Sequence, residues 1–290
     1  MPADVTAVPA AVRERLRSAR AFVFDMDGTL VLGDRHGHEL RPLPGAHGII
    51  KWLTGQGVPF VVLTNGTART PSHYAGKLRA AGFDVPDEAM MTPASSAVVV
   101  CLRRGHRRVV VLGNDGLIVP LREAGIEVLP PRGRPEADAV LAGWHPEFTM
   151  SELESACHAV WGGAALYSCS QSIFFASADG KMLGTSRAIT AMIKSLTGCR
   201  VEIVGKPSLH ALRGAGVRLG VRPKELAVVG DDPALEVPMA HSGRALAIAV
   251  RTGIGADGSF DRLPADRAPH LTLHGVDDLL ALCQQLSSPS

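Results

Sequence analysis

The sequence has few cysteines, and they are not arranged in pairs. Its 290 residues include five scattered cysteines, and none of them forms a Cys-x-x-Cys motif with another. An odd number of isolated cysteines argues against a complete set of disulfides. Reduced thiols in a cytoplasm are the simpler expectation, so we predict a cytoplasmic protein.

The sequence also lacks an excess of charge and a long apolar run. Thirty basic and 28 acidic residues leave a formal net charge of +2, which gives no single-sign field for nucleic acid or an anionic membrane. No uncharged apolar run approaches the roughly 20 residues that span a bilayer. The N-terminus shows no basic segment followed by an apolar run, as a signal peptide would. We therefore expect neither nucleic acid nor a membrane as partner.

The composition is that of a globular protein, with 46% hydrophobic and 20% charged residues. Strand-like and helix-like segments alternate along it, which predicts α/β layers around a largely parallel sheet. The predicted strands cover 21–24, 58–63, 108–112, 139–142, 165–168, 173–176, 201–204, 226–229 and 246–250. The predicted helices cover 10–20, a segment opening at 43–45 and ending at 53, then 71–81, 115–124, 150–160, 186–196, 209–219, 234–240 and 276–286.

Three of the apolar strands end in polar residues suited to phosphate chemistry. Phe24 is followed by 25–29, with the sequence Asp-Met-Asp-Gly-Thr; Leu63 is followed by Thr-Asn-Gly-Thr, and Val229 by Gly-Asp-Asp. Ligands of open parallel sheets bind at the carboxyl ends of the strands. The fold can therefore gather these three segments at one edge.

The first segment carries the most specific signal. Asp25 and Asp27 are two residues apart, so an extended chain directs both side chains to the same side. One carboxylate can attack phosphorus, while the other protonates the leaving oxygen and then deprotonates a water. Gly28 permits a sharp turn and Thr29 adds a hydroxyl. Taken alone, the same residues also suit an ordinary Asp-Gly turn after a strand.

Five further residues can complete a site for a phosphate and a metal ion. Thr64 supplies a hydroxyl, and the backbone amides of Asn65 and Gly66 can cradle a phosphate oxygen. Lys206 can offset the charge of the nucleophile and the phosphate. Asp231 can complete a hard oxygen site for Mg²⁺. Each of these is common in loops, and it is their order at the ends of strands that indicates a site.

In this order the motifs resemble the haloacid dehalogenase superfamily, which has DxDGT, a Thr or Ser after the second strand, a Lys and a Gly-Asp loop. About 140 residues separate Thr64 from Lys206, which leaves room for an inserted cap. The layout resembles the branch with p-nitrophenyl phosphatases, phosphoglycolate and glycerol-phosphate phosphatases and pyridoxal phosphate phosphatases. The resemblance implies a Rossmann-like core of residues 1–100 and 200–290 with an α/β cap at 101–199.

The resemblance also implies a role for each motif residue. Asp25 is expected to be the nucleophile and a metal ligand. Asp27 is expected to be the acid and base, with its backbone carbonyl as a second ligand, and Asp231 is the third ligand of Mg²⁺. Thr64 and Lys206 are expected to hold the transferring phosphate. The second acid, Asp27, favours phosphate esters over halogenated substrates, so the implied enzyme hydrolyses a small phosphorylated metabolite through an aspartyl-phosphate.

Two features depart from the family pattern in the acidic loop. Glu236 stands where the family usually has a second Asp, and its longer carboxylate could reach the metal through water or brace Lys206. Asp232 is an additional acid, either an outer group of the site or a solvated loop residue.

The cap departs as well. Relatives often have an Ala-Thr-Asn-x-Asp-like stretch where this chain has Tyr-Ser-Cys-Ser-Gln-Ser at 167–172. Neutral hydroxyl and amide groups replace acids there, so Ser170, Gln171 and Arg187 are predicted to contact a sugar, polyol or similar leaving group. Cys169 is expected to be a small buried residue rather than a nucleophile. A homodimer is left open.

Two other functions remain compatible with the sequence. A phosphotransferase or mutase would pass the phosphoryl group to an alcohol instead of water. A non-catalytic binding protein would use the same scaffold, although intact Asp25, Asp27, Lys206 and Asp231 count against it.

Overall fold

The structure is a computed structural model, and it describes residue 6 and residues 8–33, 39–177 and 180–287. Helices α1 to α10 and strands β1 to β15 are numbered along the chain. In order they are α1 Ala10–Arg17, β1 Ala21–Phe24, β2 Val31–Gly33, β3 Leu40–Pro42, α2 Ala46–Gly55, β4 Phe60–Leu63, α3 Pro71–Ala80, β5 Met90–Met91, α4 Pro93–Arg104, β6 Arg108–Leu112, α5 Asp115–Glu123, β7 Glu127–Leu129 and β8 Ala139–Ala142. They continue as α6 Met150–Trp161, β9 Ala165–Ser168, β10 Phe174–Ser177, β11 Gly180–Leu183, α7 Thr185–Thr197, β12 Val201–Ile203, α8 Leu209–Leu219, β13 Leu226–Gly230, α9 Glu236–Ser242, β14 Leu246–Val250, β15 Leu271–Leu273 and α10 Val276–Ser287.

The chain divides into two compact units. The core unit comprises Met1–Thr64, Ala75–Met90 and Ala215–Ser290, and the inserted unit comprises Asn65–Tyr74 and Met91–Gly214.

A parallel sheet organises the core unit. Its strand order is β15-β14-β13-β1-β4-β5, and β1 pairs in parallel with both β13 and β4. Strands β1 and β13 are buried along their whole length, as expected for continuous apolar runs covered on both faces. The chain crosses over between non-adjacent strands, which gives the Rossmann-like topology that the sequence predicts.

The inserted unit has a second parallel sheet, with strand order β12-β9-β8-β6-β7. One layer of its core packs α4 and α5 against the sheet, and the other packs α6 and α7 against it. An antiparallel hairpin of β10 and β11 lies between β9 and α7 in the chain. The predicted α/β class, with a parallel-sheet core and an inserted α/β portion, is therefore confirmed, while the cap boundaries at 101–199 stay a prediction.

All five cysteines are free thiols. Cys101, Cys157, Cys169 and Cys283 are buried and Cys199 is half-buried. Burial raises the pKa of Cys101 to about 11 and that of Cys283 to about 12, and it raises the pKa of Cys169 as well. The prediction that Cys169 is a buried packing residue is confirmed, since its exposure is 0%. In the part of the chain that the structure describes, no helix is long and apolar enough to cross a membrane.

One histidine of the core unit makes the stability of the fold depend on pH. The ring of His270 accepts a hydrogen bond at Nδ1 from the backbone N–H of Ala247 (3.0 Å), and it lies 4.9 Å from the ring of His241. Desolvation, followed by the charge of Arg15 and the neighbouring His241, lowers the pKa of His270 to about 4. The native protein therefore holds this ring neutral where the unfolded chain would protonate it.

We expect stability to fall on acidification from about pH 6.5 towards pH 4, because the unfolded state binds the extra proton. Between pH 7 and pH 5 the contribution of His270 is at most about 2 kcal/mol. His270→Asn keeps an acceptor but cannot titrate, so its Tm should fall less over this range than the Tm of the wild type. The exposed His274→Asn is the matched control. Parallel Tm curves for His270→Asn and the wild type would contradict this prediction.

Candidate active site

Three predicted residues follow neighbouring strands of the core unit. The register pairs Phe24 of β1 with Val229 of β13 and with Val62 of β4. Asp25, Thr64 and Asp231 are therefore the residues at or just beyond the carboxyl ends of three adjacent parallel strands, and all three are buried. The core-unit part of the predicted site is thus gathered at one edge of the sheet, as the sequence analysis expects.

One hydroxyl joins two of the carboxylates. Oγ1 of Thr29 donates to Oδ2 of Asp25 at 3.2 Å and lies 3.5 Å from Oδ1 of Asp231. The three side chains are 0%, 7% and 3% exposed, respectively. Carboxylates are buried in proteins when they are paired, hydrogen-bonded or bound to a metal, so this arrangement suits a cation site.

The turn after β1 explains why the motif needs glycine. Gly28 has a φ of 88°, and its N–H donates to the carbonyl of Val31 at 2.7 Å. A Cβ at this position would collide with the carboxylate of Asp231. Asp27 lies opposite Val31 in an isolated bridge and is exposed, so the second acid is accessible to solvent while Asp25 is buried.

Residues 252–254, which the sequence analysis did not assign to the site, also lie at this edge. The hydroxyl of Thr252 donates to the carbonyl of Gly28, and the N–H of Ile254 donates to Oδ2 of Asp231 at 2.7 Å. A Cβ at Gly253 would collide with the carboxylate of Asp231. The signal was the polar, glycine-rich run that follows buried strand β14. The sequence analysis assigned only three strand ends to the site, and this run follows a fourth strand of the same sheet.

The acidic loop shows what the two departures do. Oδ1 of Asp232 accepts a hydrogen bond from the N–H of Ala234 at 2.7 Å, so this carboxylate closes the loop. The carboxylate of Glu236 is buried, and its Oε2 accepts from the N–H of Asp232 at 3.1 Å. A Cβ at Gly230 would collide with the Glu236 side chain. Glu236 thus braces the backbone of the loop that presents Asp231.

The donors present fit a small hard cation. Asp25 and Asp231 offer carboxylate oxygens around Thr29, and the N–H of Ile254 fixes the second oxygen of Asp231. Among the described residues no three His, Cys, Asp or Glu side chains form a metal cluster. The predicted ligand set does not require one, because it uses two carboxylates and the backbone carbonyl of Asp27. Oxygen ligands with vacant places for water and phosphate are what Mg²⁺ prefers.

Other predicted residues lie in the inserted unit. Asn65 and Gly66 directly follow Thr64 in the chain and are half-buried, and Lys206 is 2% exposed. The Asn65 side chain donates through Nδ2 to the carbonyl of Lys206 (3.0 Å) and accepts at Oδ1 from the N–H of Lys206 (2.8 Å). The structure therefore brings Asn65, two residues beyond the end of β4, together with Lys206.

The predicted substrate loop after β9 is held mainly by its own polar groups. Nε2 of Gln171 donates to Oγ of Ser168 (2.8 Å), and the hydroxyl of Ser170 donates to that of Ser172 (3.1 Å). The exposed Arg187 donates to the carbonyl of Gln171 at 3.0 Å. Ser170, Gln171 and Arg187 thus lie close together, with Arg187 on the loop backbone, while their contact with a substrate stays a prediction.

Hydrogen bonds from Arg104 connect β9, which precedes this loop, with β12, which precedes Lys206. Tyr167 of β9 and Glu202 of β12 are register partners. Arg104 donates to both carboxylate oxygens of Glu202 (2.8 and 2.9 Å) and to the Tyr167 hydroxyl (2.6 Å). The hydrogen bond from Arg104 lowers the pKa of Glu202 to about 2. These hydrogen bonds therefore hold β9 and β12 together within the inserted unit.

Comparison with known families agrees with this arrangement. Residues 22–127 match a family described as haloacid dehalogenase-like hydrolase, and residues 203–279 match one described as HAD-hydrolase-like. These two matches include the motifs at Asp25, Thr64, Lys206 and Asp231. The chain belongs to the haloacid dehalogenase-like hydrolases.

Individual relatives narrow the class. An acid sugar phosphatase from Staphylococcus aureus is 28% identical over 217 residues, which cover 74% of this chain and 80% of that protein. A 4-nitrophenylphosphatase from Thermotoga maritima superposes with a TM-score of 0.79 at 26% identity, covering 92% of this chain and 98% of the other. A hypothetical protein from Pyrococcus horikoshii OT3 gives 0.81 at 26% identity, covering 91% and 99%. The predicted resemblance to phosphatases of the haloacid dehalogenase superfamily is confirmed, and so is the prediction of a phosphoric monoester hydrolase.

Proposed function

We propose that the protein is a Mg²⁺-dependent phosphatase that hydrolyses a small phosphomonoester through an aspartyl-phosphate on Asp25. The observation that carries this proposal is the pair of buried carboxylates, Asp25 and Asp231, around the hydroxyl of Thr29 at the carboxyl ends of adjacent strands. Phosphoryl transfer requires mainly positioning and charge stabilisation, and we assign these to the placed carboxylates, to the cation that they would hold and to Lys206.

Each residue then has a defined part in two steps. A carboxylate oxygen of Asp25 forms a bond to phosphorus as the bond to the ester oxygen breaks, and Asp27 gives its proton to the leaving alcohol. Asp27 next takes a proton from a water, whose oxygen attacks phosphorus and breaks the bond to Asp25. Inorganic phosphate leaves and the Asp25 carboxylate is restored. In this scheme Thr64 and Lys206 hold the phosphoryl oxygens, together with the amides of Asn65 and Gly66.

Asp25, Asp231 and the carbonyl of Asp27 would hold Mg²⁺. When bound, the ion neutralises charge on the phosphoryl oxygens and on the nucleophile. Thr29 and the N–H of Ile254 orient the two carboxylates, and Glu236 braces the loop of Asp231 through the backbone of Asp232. Such supporting contacts are typical of metal sites, since they hold the ligands in place.

We further propose a hydroxylated leaving group, such as a sugar or polyol. The loop of residues 168–172 offers hydroxyl and amide groups, and the acid sugar phosphatase is among the relatives.

A cytoplasmic location and a homodimer remain predictions; the free thiols suit a reducing compartment. Measuring free phosphate released from a panel of phosphorylated metabolites tests the activity, and adding alcohol acceptors separates hydrolysis from phosphotransfer, which would release less phosphate.

Asp27→Asn should slow substrates whose leaving group must be protonated more than substrates whose leaving group need not be. Alkyl phosphates should lose about 10²–10⁴-fold in kcat, the usual contribution of general acid–base catalysis. Formation of the aspartyl-phosphate from p-nitrophenyl phosphate should suffer far less, because its leaving group is already a weak base. Single-turnover rates with both substrates measure this difference. Equal losses would contradict the assignment of Asp27 as the acid.

Gln171→Ala and Arg187→Ala should impair a sugar phosphate more than p-nitrophenyl phosphate. Both changes remove hydrogen bonds that hold the loop, and a polar site that no longer matches a hydroxylated group loses about 10-fold or more in kcat/KM. The measurement is the ratio of kcat/KM for the two substrates. Arg103→Ala, at an exposed arginine of the same unit, is the matched control. An unchanged ratio in both loop variants would exclude the loop as the specificity element.

A further inference from the structure

The amide of Asn65 pairs with the backbone of Lys206 as a neighbouring strand would. It donates to the lysine carbonyl and accepts from the lysine N–H, at 3.0 and 2.8 Å. Each end of the amide has a matching partner. This use of the side chain differs from the contact between the Asn65 backbone and phosphate that the sequence analysis expects.

The chain before Lys206 is held from its other side. The N–H of Val204 donates to the carbonyl of Ser168 at 2.9 Å. A Cβ at Gly205 would collide with the carbonyl of Cys169 and would lie 2.7 Å from Oδ1 of Asn65. The backbone at 204–206 thus runs between the start of the substrate loop and Asn65, with no room for a side chain at position 205.

The segment just after Asn65 is anchored within the inserted unit. Oγ1 of Thr67 accepts a hydrogen bond from the N–H of Trp144 at 2.9 Å. A Cβ at Gly116 would collide with the carbonyl of Thr67, so helix α5 packs directly on this segment. A fixed segment that grips the backbone of Lys206 restricts where the flexible lysine side chain begins.

We propose that Asn65 is a positioning residue for Lys206: its side-chain amide fixes the lysine backbone and thereby the direction of the ammonium group. This inference rests on the proposed phosphatase function. An ammonium that must meet a phosphoryl group tolerates little displacement, since a shift of about 1 Å can cost about 100-fold in rate. Loss of the amide should therefore lower kcat more than it raises KM.

A double-mutant cycle tests the coupling. Asn65→Ala, Lys206→Ala and the double variant are compared with the wild type in kcat and KM for p-nitrophenyl phosphate, and in calorimetric affinity for inorganic phosphate. We expect Asn65→Ala to lower kcat by about 10–100-fold in the native background. In the Lys206→Ala background it should lower kcat by less than about twofold, because its effect passes through the lysine.

Thr149→Ala is the matched control. This threonine also bonds a backbone N–H with its side chain, that of Glu152 at 3.3 Å, and it caps α6 in the same unit. It should lower Tm by a similar amount while leaving kcat near the native value. Should Asn65→Ala fail to fold, the isosteric Asn65→Asp replaces it, since it keeps the acceptor for the lysine N–H and loses the donor to the carbonyl.

The outcomes separate the two proposals. If the wild type hydrolyses no phosphomonoester, the proposed function fails, and this inference fails with it. If the wild type is active but Asn65→Ala keeps its kcat, the positioning role alone is overturned. The same holds if Asn65→Ala costs as much without Lys206 as with it, because the amide would then act by another route.

Discussion

Asp25→Asn should abolish turnover, with a loss of at least about 10⁴-fold in kcat, because nucleophile and acid–base residues act as a unit. An amide is a poor nucleophile and a weaker metal ligand than a carboxylate. The fold should survive, since the amide oxygen can still accept the hydrogen bond from Thr29 that Oδ2 of Asp25 accepts now. Steady-state kinetics and the Tm measure both expectations.

Asp232→Asn is the matched control for removing a negative charge near this site. Its amide oxygen can keep the bond from the N–H of Ala234 that closes the acidic loop, so activity should remain within a few-fold of the wild type. Near-native turnover in purified Asp25→Asn would show that Asp25 is not the nucleophile.

Removing metal should have an effect of similar size. EDTA should stop activity completely and Mg²⁺ should restore it, because Asp25 and Asp231 are the carboxylates proposed to hold the ion. Ca²⁺ should restore it poorly, since its larger and looser coordination misplaces nucleophile and phosphate. Activity in dialysed, metal-free buffer with and without each ion is the measurement.

A second measurement does not depend on turnover. Mg²⁺ at about 100 times its Kd should stabilise the wild type by about 2.7 kcal/mol, which is seen as a rise in Tm. Asp231→Asn should show a much smaller rise, whereas Asp232→Asn should behave like the wild type. Full activity without metal, or an equal rise in Tm for Asp231→Asn, would count against this metal site.

Local sequence was sufficient where a single pattern decided the structure. The apolar run 21–24 that stops at Asp25 became β1 with the predicted bounds, and 246–250 became β14 in the same way. The motif residues Asp25, Thr64 and Asp231 then followed from the rule that parallel strands present ligands at their carboxyl ends. These conclusions needed no knowledge of distant contacts.

Helix α9 shows how one turn moved a predicted boundary. The prediction placed the helix at 234–240, whereas it begins at Glu236 and ends at Ser242. The carbonyl of Asp232 accepts from the N–H groups of Leu235 and Glu236, so the chain first completes a turn. The later start also places Pro238 in the first helical turn, where no intrahelical donor is needed.

Other features were missed because their signal was weak or tertiary. Helix α4 was not assigned, although Pro93 is at its first position and the Ser95 hydroxyl accepts a hydrogen bond from the N–H of Thr92 at 3.3 Å. The contacts of Thr252 and Ile254 at the site could not be predicted from spacing, because they depend on which strand lies next to β13. The pairing of the Asn65 amide with Lys206 joins residues 141 positions apart, and no local pattern encodes it.

Because four of the five thiols are buried, the remaining one is a natural position for a reporter group. Maleimides react with thiolates, and burial keeps Cys101, Cys169 and Cys283 protonated at neutral pH. Cys199, half-buried just after α7, should be modified first. A fluorophore there would sit in the inserted unit without any engineered substitution, and its emission could follow substrate binding in the native sequence.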